Sequence, residues 1–515
     1  MSPNTIINLL KDLVALPSST HTENERAAED FIADFFRNIP YFEQHPLQTG
    51  KLAIPNDAQN RSNVFALLKG NTNKTIVFIN HHDVVETSCY GEAQPGAYRM
   101  DELPKHLEKL PKTAEQEKDL HSDEWLFGRG SNDMKGGMAV QMLTLADYAN
   151  DATKPEGSIL FLSVADEESF SDGMRSAIPF LLDIKKQFSL DYQFLINCEP
   201  NPKENDKQIA YVGSVGKLLP VIYVQGKTAQ VSNYQQGVNS ISVLAKLVAS
   251  TEGDSSFIEK CGSDQTTPPL WLYMRDLKDA YDFSVCQEAA GYCNILSFEN
   301  GPEEVIAYFV KKAQEVAKEY KNLKVMTVEE LTKLAESKEG YKNFSKALSK
   351  EHLELLYNEG KDFPSITIHT MKKLLEFAQM KEPVILIGFA PPYYPSLNSE
   401  KMDKATTKLV EKIVTETIPC EIKQYFLGVS DCSYCGYDAG AAKKNTYAKN
   451  MPLTTKAYAI DMSALAKLNI PFILLGPWGK ELHCTFERVN KKSLTEELPL
   501  LLKNICEAIW SIEKK

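Results

Sequence analysis

Apolar residues Ile6, Ile7, Leu9, Leu10, Leu13 and Val14 recur at helical spacing and predict an amphipathic helix over 3–15. Thr22 and Glu25 have capping-box spacing. They precede a second helical face made of Ala28, Phe31, Ile32, Phe35 and Phe36. Four continuous apolar runs follow, at 75–79, 159–165, 194–198 and 472–475. Runs without alternation suit strands buried on both faces. Helical stretches lie between them, around 135–148, 175–186 and 400–416. The alternation predicts an α/β, doubly wound sheet with helices on both faces.

The stretch from 215 to 391 has a different pattern. It carries strand-like 218–224, helical 238–249 and strand-like 291–298, then long Lys/Glu-rich helical patterns over 302–381, then strand-like 383–389. This predicts an inserted α+β domain extended by extra helices. The division expected is 1–214 with 392–515 for the host domain and 215–391 for the insert.

Composition narrows the function. The 515 residues carry 57 Lys and Arg against 69 Asp and Glu, a formal charge of −12. So acidic a balance argues against nucleic acid as the main partner. No run approaches the length of a membrane span, and the opening Met1-Ser-Pro-Asn-Thr lacks the basic and apolar regions of a signal peptide. Ten cysteines are too sparse for a disulfide scaffold. The expectation is a cytoplasmic protein with reduced thiols.

Ligands of open α/β sheets bind beyond the carboxyl ends of the strands. His81-His82-Asp83 follow the first apolar run, Asp166-Glu167-Glu168 the second, and Glu199-Pro200 the third. After the fourth, a loop opening with Gly476-Pro477 leads to His483. A Gly-rich turn running from Gly128 to Gly137, with Asp133 inside it, enters a helix. Such a turn could cradle a phosphate, but its spacing matches neither the dinucleotide nor the phosphate-loop pattern. Singly, each of these residues reads as a cap or a solvated loop residue. As a set, two imidazoles and several carboxylates suit zinc, or manganese and cobalt, better than calcium. Suppose His81 and His483 each take one divalent ion, as do Glu199 and Glu168, with Asp133 shared. Three carboxylates against two ions then leave one positive charge, which a hydroxide neutralises. Glu167 is the natural general base, and Asp83 can fix the His81 tautomer.

These segments resemble the zinc exopeptidase and deacylase family, metallopeptidase family M20. The resemblance rests on His81-x-Asp83-Val-Val, Gly-Arg-Gly-x-x-Asp133-Met-Lys-Gly-Gly, Asp-Glu167-Glu168, Glu199-Pro200 and His483, in family order. Within the family the chain looks most like RocB-type arginine-utilisation (amino-acid degradation) proteins. That likeness is carried by the segments that begin at Asp119, Met274, Phe389, Ser430 and Gly476. The resemblance implies a mixed-sheet catalytic domain holding two zinc ions and an inserted lid that often dimerises. It implies His81, Asp133, Glu168, Glu199 and His483 as ligands, Glu167 as base, and a small peptide or N-acyl amino acid as substrate.

One departure matters. The family places a His after a Gly-x-x-Ala-like segment of the lid, where it helps polarise the scissile carbonyl, often across the dimer. Here the segment is Gly226-Lys-Thr-Ala-Gln230. A Gln amide can donate a hydrogen bond but carries no charge, and losing one such donor typically costs ~10²–10³ in rate. Two readings therefore stay open. One is a dinuclear zinc hydrolase of amide bonds; the other is a metal-binding relative with little catalysis, serving as a binding or regulatory protein. Weaker candidates are Asp431 as a cleft-lining residue, Arg275 as a carboxylate ligand or surface ion-pair partner, and Cys432-x-x-Cys435, which lacks the second pair a structural zinc needs.

Overall fold

The structure, a computed structural model, describes residues 1–512. Its larger sheet begins with β1 (Thr49–Ala53), β2 (Ser62–Leu68), β3 (Lys74–His81), β4 (Ser158–Val164), β5 (Asp191–Asn197) and β6 (Lys207–Tyr211). A second sheet comes next, made of β7 (Gly216–Gln225), β8 (Leu270–Asp276), β9 (Glu288–Ser297), β10 (Lys324–Thr327) and β11 (Val384–Tyr394). The chain then returns to the first sheet with β12 (Cys420–Lys423) and β13 (Phe472–Leu474).

The larger sheet runs β1-β2-β4-β3-β5-β13-β6-β12, with the two-residue strand Lys203–Glu204 beside β6. Its centre, β4-β3-β5-β13, is parallel, and antiparallel pairs flank it. The sheet is therefore mixed. All four apolar runs singled out in the sequence are these central strands. β2 and β4 are buried along their whole length, as strands covered on both faces must be.

Helices α1 (Pro3–Val14), α2 (Glu25–Arg37), α3 (Lys135–Asn150) and α4 (Asp172–Gln187) lie in the first half of the chain. Ser2 caps α1 by accepting from Thr5 N, with Pro3 at its first position. The expected capping box at Thr22 does not form. α2 starts after Asn24, which makes no side-chain cap, and the Glu25 carboxylate turns inward to Arg61 Nη1 at 2.9 Å. An ion pair in the core outcompetes a local cap, because an unpaired buried guanidinium would cost far more.

α1 and α3 pack on one face of the sheet, and α4 on the other. The second sheet is also covered on both faces. α5 (Ser240–Thr251) and α6 (Pro302–Ala317) lie on one face; α7 (Val328–Glu336) and α9 (Phe363–Phe377) lie on the other, with α8 (Tyr341–Leu353) between α7 and α9 in sequence. The Lys/Glu-rich stretch from 302 to 381 thus includes one strand, β10, that its helical pattern concealed. One apolar cluster is continuous from the α4 face of the larger sheet to the α5–α6 face of the second. The chain leaves and re-enters the larger sheet side by side: Gly213 and Ser214 pair antiparallel with Asn398 and Leu397.

Two glycines set how closely the elements approach at the carboxyl edge. A Cβ on Gly137, in the first turn of α3, would lie 2.2 Å from Cys198 O. A Cβ on Gly476 would lie 2.2 Å from Glu199 O. The Cys198–Glu199 backbone is therefore held between two glycines, and the Gly-rich turn serves close packing. Gly137→Ala is expected to destabilise the fold by about 1–3 kcal/mol through overpacking and to displace Glu199. Denaturant unfolding measures the first effect, and weakened divalent-ion binding the second.

Candidate active site

Because β4, β3, β5 and β13 are parallel, their carboxyl ends lie along one edge. Each delivers residues there: His81 ends β3, Asp166-Glu167-Glu168 follow β4, Glu199 follows β5, and the loop after β13 returns to His483. The Gly-rich turn brings Asp133 between them.

Asp133 is the shared centre. Its Oδ1 lies 3.2 Å from His81 Nε2 and its Oδ2 lies 3.1 Å from His483 Nε2. Glu199 Oε1 is 3.4 Å from His81 Nε2, and Glu168 Oε1 is 3.1 Å from His483 Nε2. Ligand-type atoms of His81, Asp133 and Glu168 all fall within 4.8 Å of one another, as do those of His81, Glu167 and Glu199. Two residues 402 positions apart, His81 and His483, thus meet around one carboxylate.

The charges are strongly perturbed. Burial, then the neighbouring Asp133, pushes Glu168 up to about 7. Burial raises Glu199 to about 7 as well, with Asp133 adding to it. Glu167 is raised well above the carboxylate range by burial and by the crowding of Glu199, Asp431 and Glu168. Asp133 goes the other way: burial opposes its ionisation, but hydrogen bonds from His483 and His81 hold it below the ordinary range. Hydrogen bonds to Asp133 and Glu168 raise His483 to about 10. A crevice where several carboxylates must stay protonated, and imidazoles charged, is one that divalent cations would relieve.

Supporting residues fix the shape. Asp83 accepts from Glu167 N and Glu168 N, both at 3.1 Å, and so clamps the turn that carries the acidic pair. The closest partner of His81 Nδ1 is the Asp83 backbone oxygen at 3.0 Å, with the Asp83 carboxylate at 3.4 Å. With Nδ1–H donating to that carbonyl, Nε2 is the ring nitrogen turned toward Asp133. His82 points away, to Ser163 Oγ at 3.0 Å, and burial lowers it to about 3.

Two supports were not picked out in the sequence. Arg61, fully buried, bonds Glu25, Asp57 and Asp166; Asp166 sits at φ +66°, immediately before Glu167. Glu487 pairs with Arg129 and accepts from Asn132 N and Asp133 N, both at 3.2 Å. Only the placement of Arg129 and Asp166 within motif segments hinted at either network.

The remaining candidates separate. Asp431 is buried against the site, its Oδ1 without a hydrogen-bond partner, and burial raises it to about 7. Gln230 and Arg275 are not brought to the site in this chain. Gln230 is exposed at the start of a short helical turn, and Arg275 lies exposed on edge strand β8, where among the described residues it donates only to Asp276 O at 3.0 Å. Cys432 and Cys435 are buried free thiols with no His or carboxylate cluster around them among the described residues. A cleft of about 1320 Å³ opens over Asp133, Glu167, Glu168, Glu199 and His483, between the two sheets.

Comparison with known proteins fits this geometry. The description of peptidase family M20/M25/M40 matches residues 100–501, and the chain belongs to that family. By family it is a metallopeptidase-type hydrolase, and its fold is shared by solved members of that family. Over 96% of its length, and 93% of the other protein, the chain is similar to protein RocB of Bacillus subtilis strain 168, at 27% identity. It is 26% identical to the succinyl-diaminopimelate desuccinylase of Rickettsia felis over 47% of this chain and 56% of that one. Its backbone resembles the YXEP protein of Bacillus subtilis, a dinuclear metal-binding peptidase of the same family, with a TM-score of 0.53, 12% identity and 99% of each chain covered.

Proton competition sets an expected pH dependence. Glu168 and Glu199 hold protons to about 7, and His483 to about 10. Ligands must be deprotonated to bind metal, so divalent-ion affinity should rise steeply from pH 6 to 8 with proton release. Calorimetry in buffers of different ionisation enthalpy reads this directly; a flat profile would contradict the arrangement.

Proposed function

We propose that the protein is a dinuclear zinc-dependent hydrolase that cleaves an amide C–N bond in a small peptide or N-acyl amino acid, in cytoplasmic amino-acid degradation linked to arginine. The observation that carries this reading is the pair of imidazole–carboxylate clusters sharing Asp133, with Glu167 beside them. His81, Asp133 and Glu199 would hold one ion, and His483, Asp133 and Glu168 the other. Their mixed oxygen and imidazole donors fit zinc, and also manganese or cobalt. Divalent ions there would supply Lewis acidity toward a carbonyl oxygen and toward water.

The chain's own residues do the rest. Glu167 takes the proton of the attacking water and hands it to the departing nitrogen. Burial raises its affinity for protons, which favours taking a proton from water once the carboxyl is ionised. Asp83 holds the Glu167 backbone so that the carboxyl stays over the cleft. Asp431 lines the buried side of the site. In this reading residues 215–391 act as a lid and homodimerisation unit. Support comes from edge strand β8, which leaves Leu270, Leu272 and Met274 38%, 61% and 43% exposed. Arg275, on the same strand, would meet substrate only across such a dimer.

Gln230 favours a second reading, a metal-binding relative with weak catalysis. It is exposed and outside the cleft of its own chain, so any contribution to carbonyl polarisation would have to come from a second copy.

Glu167→Gln is expected to lose ~10²–10⁴ in turnover while keeping its metal content, since general-base catalysis contributes on that scale. Assays on N-acyl amino acids and dipeptides, with elemental analysis, check this; a fully active variant removes Glu167 as base. Gln230→His should raise turnover if the missing imidazole limits the wild type. Failure of both the wild type and Gln230→His on a broad amide panel, with metal bound, would favour the second reading. Sedimentation showing only monomer would remove the dimer.

A further inference from the structure

One ammonium in the cleft has no partner. Lys217 stands near the start of β7, where the chain passes into the second sheet, and lines the same cleft as Glu167 and Glu168. Among the described residues its side chain makes no hydrogen bond and no ion pair. The other cations of the cleft are held. Lys480 bonds Glu115 and Asp119 at 2.7 and 2.8 Å. Arg488 bonds Asp119 and Glu481 at 2.8 and 2.7 Å, and Lys203 lies over the Trp478 ring at 3.8 Å. Even Lys135, fully buried behind the site, donates to the backbone oxygens of Leu13 and Leu16 at 3.0 and 2.7 Å.

Lys217 is half-buried, and that partial burial, with no partner to offset it, pushes its ammonium below the ordinary range. Lys217 is the cross-strand partner of Tyr394 in the β7–β11 pair, where the register shifts between Lys217 and Leu219, and both residues line the cleft. The Tyr394 hydroxyl lies 3.3 Å from Ser171 Oγ, and after burial the charge that acts on it most is Glu167. The cleft wall on this side continues through Tyr211, Phe426 and Val429, none of them charged at neutral pH. An anion entering here meets an ammonium that no other residue holds, in a cleft that Glu167 also lines.

Resting on the amide-hydrolase reading, we infer that Lys217 is a specificity-determining residue that selects substrates bearing a carboxylate, which pairs with its ammonium while the scissile amide lies over Glu167. The carboxylate can belong to the amino-acid side or the acyl side of the amide.

Binding can be read without turnover on the zinc-loaded Glu167→Gln protein by calorimetry. N-acetyl derivatives of alanine, leucine and arginine, each against its C-terminal amide, probe the amino-acid side. N-succinyl against N-acetyl versions of the same amides probe the acyl side. In at least one series the carboxylate member should bind about 10–100-fold more tightly, the scale of a charge-assisted bond in a desolvated site. Adding Lys217→Met should abolish that preference, and Lys217→Arg should keep part of it. Ligand-free, the Lys217→Met variant should melt no lower than its parent, because it removes a half-buried ammonium that has no partner and keeps an apolar stem of similar length. Equal binding within both series, no binding at all, a preference untouched by Lys217→Met, or a lowered Tm for that variant would overturn the inference. Lys217-dependent binding of ligands that the wild type does not hydrolyse would uphold it and remove the hydrolase reading instead.

Discussion

The crowding of carboxylates around Asp133 is the constraint on which the site depends. Asp133, Glu167, Glu168, Glu199 and Asp431 converge with two imidazoles at one sheet edge. Left alone, such a group would spread apart or swallow protons, because like charges in a crevice repel strongly. The surrounding chain prevents the spreading. Asp83 ties the Glu167–Glu168 turn, Glu487 ties the Asp133 turn, and Arg61 ties Asp166 to Glu25 and Asp57. Each of these supports is itself buried and paired, so removing one partner would leave an uncompensated charge.

The backbone bears part of the cost. Asp166, Ser171, Glu481 and His483 are non-glycine residues at φ +66°, +54°, +57° and +61°. Left-handed backbone at such residues is unfavourable and persists where surrounding contacts over-determine it. At Asp166 the contacts are visible: its carboxylate accepts from Phe170 N and Asp172 N at 3.3 and 3.4 Å and pairs with Arg61. The turn aims Glu167 and Glu168 at the cleft, so stability is exchanged for position at the point where the chemistry requires it.

Much of this was readable from the residues alone. The central strands announce themselves as apolar runs because both of their faces are covered, and the parallel order then brings the residues just after each run to a common edge. The positions of His81, Asp83, Glu167, Glu168, Glu199 and His483 were legible for that reason, and that of Asp133 from the Gly-rich turn entering α3. β2, although buried throughout, was not, since Ser62 and Asn63 interrupt the apolar pattern at its start. Arg61 and Glu487 were illegible because most of their partners lie far off in sequence, Asp57 excepted, and a lone Arg or Glu looks like surface. Glu25 misled in the same way: its spacing from Thr22 suited a local cap, while a guanidinium 36 residues away claimed it. Gln230 and Arg275 mark another boundary, because sequence spacing alone does not bring a residue of the 215–391 segment to the cleft.

The ribbon where Gly213 and Ser214 pair with Asn398 and Leu397 has a consequence for how such a chain assembles. The polypeptide between them loops out and returns to the point it left, so the strands of the larger sheet need not wait for it to find their own neighbours. Loop-closure entropy grows only with the logarithm of loop length. An excursion of this size thus adds little to the search that brings β12 and β13 beside β6 and β5. The same adjacency lets the excursion lengthen or shorten without changing the order of strands in its host. Extra helices such as α7 and α8 can accumulate in it while the edge that gathers His81, Glu199 and His483 stays in register.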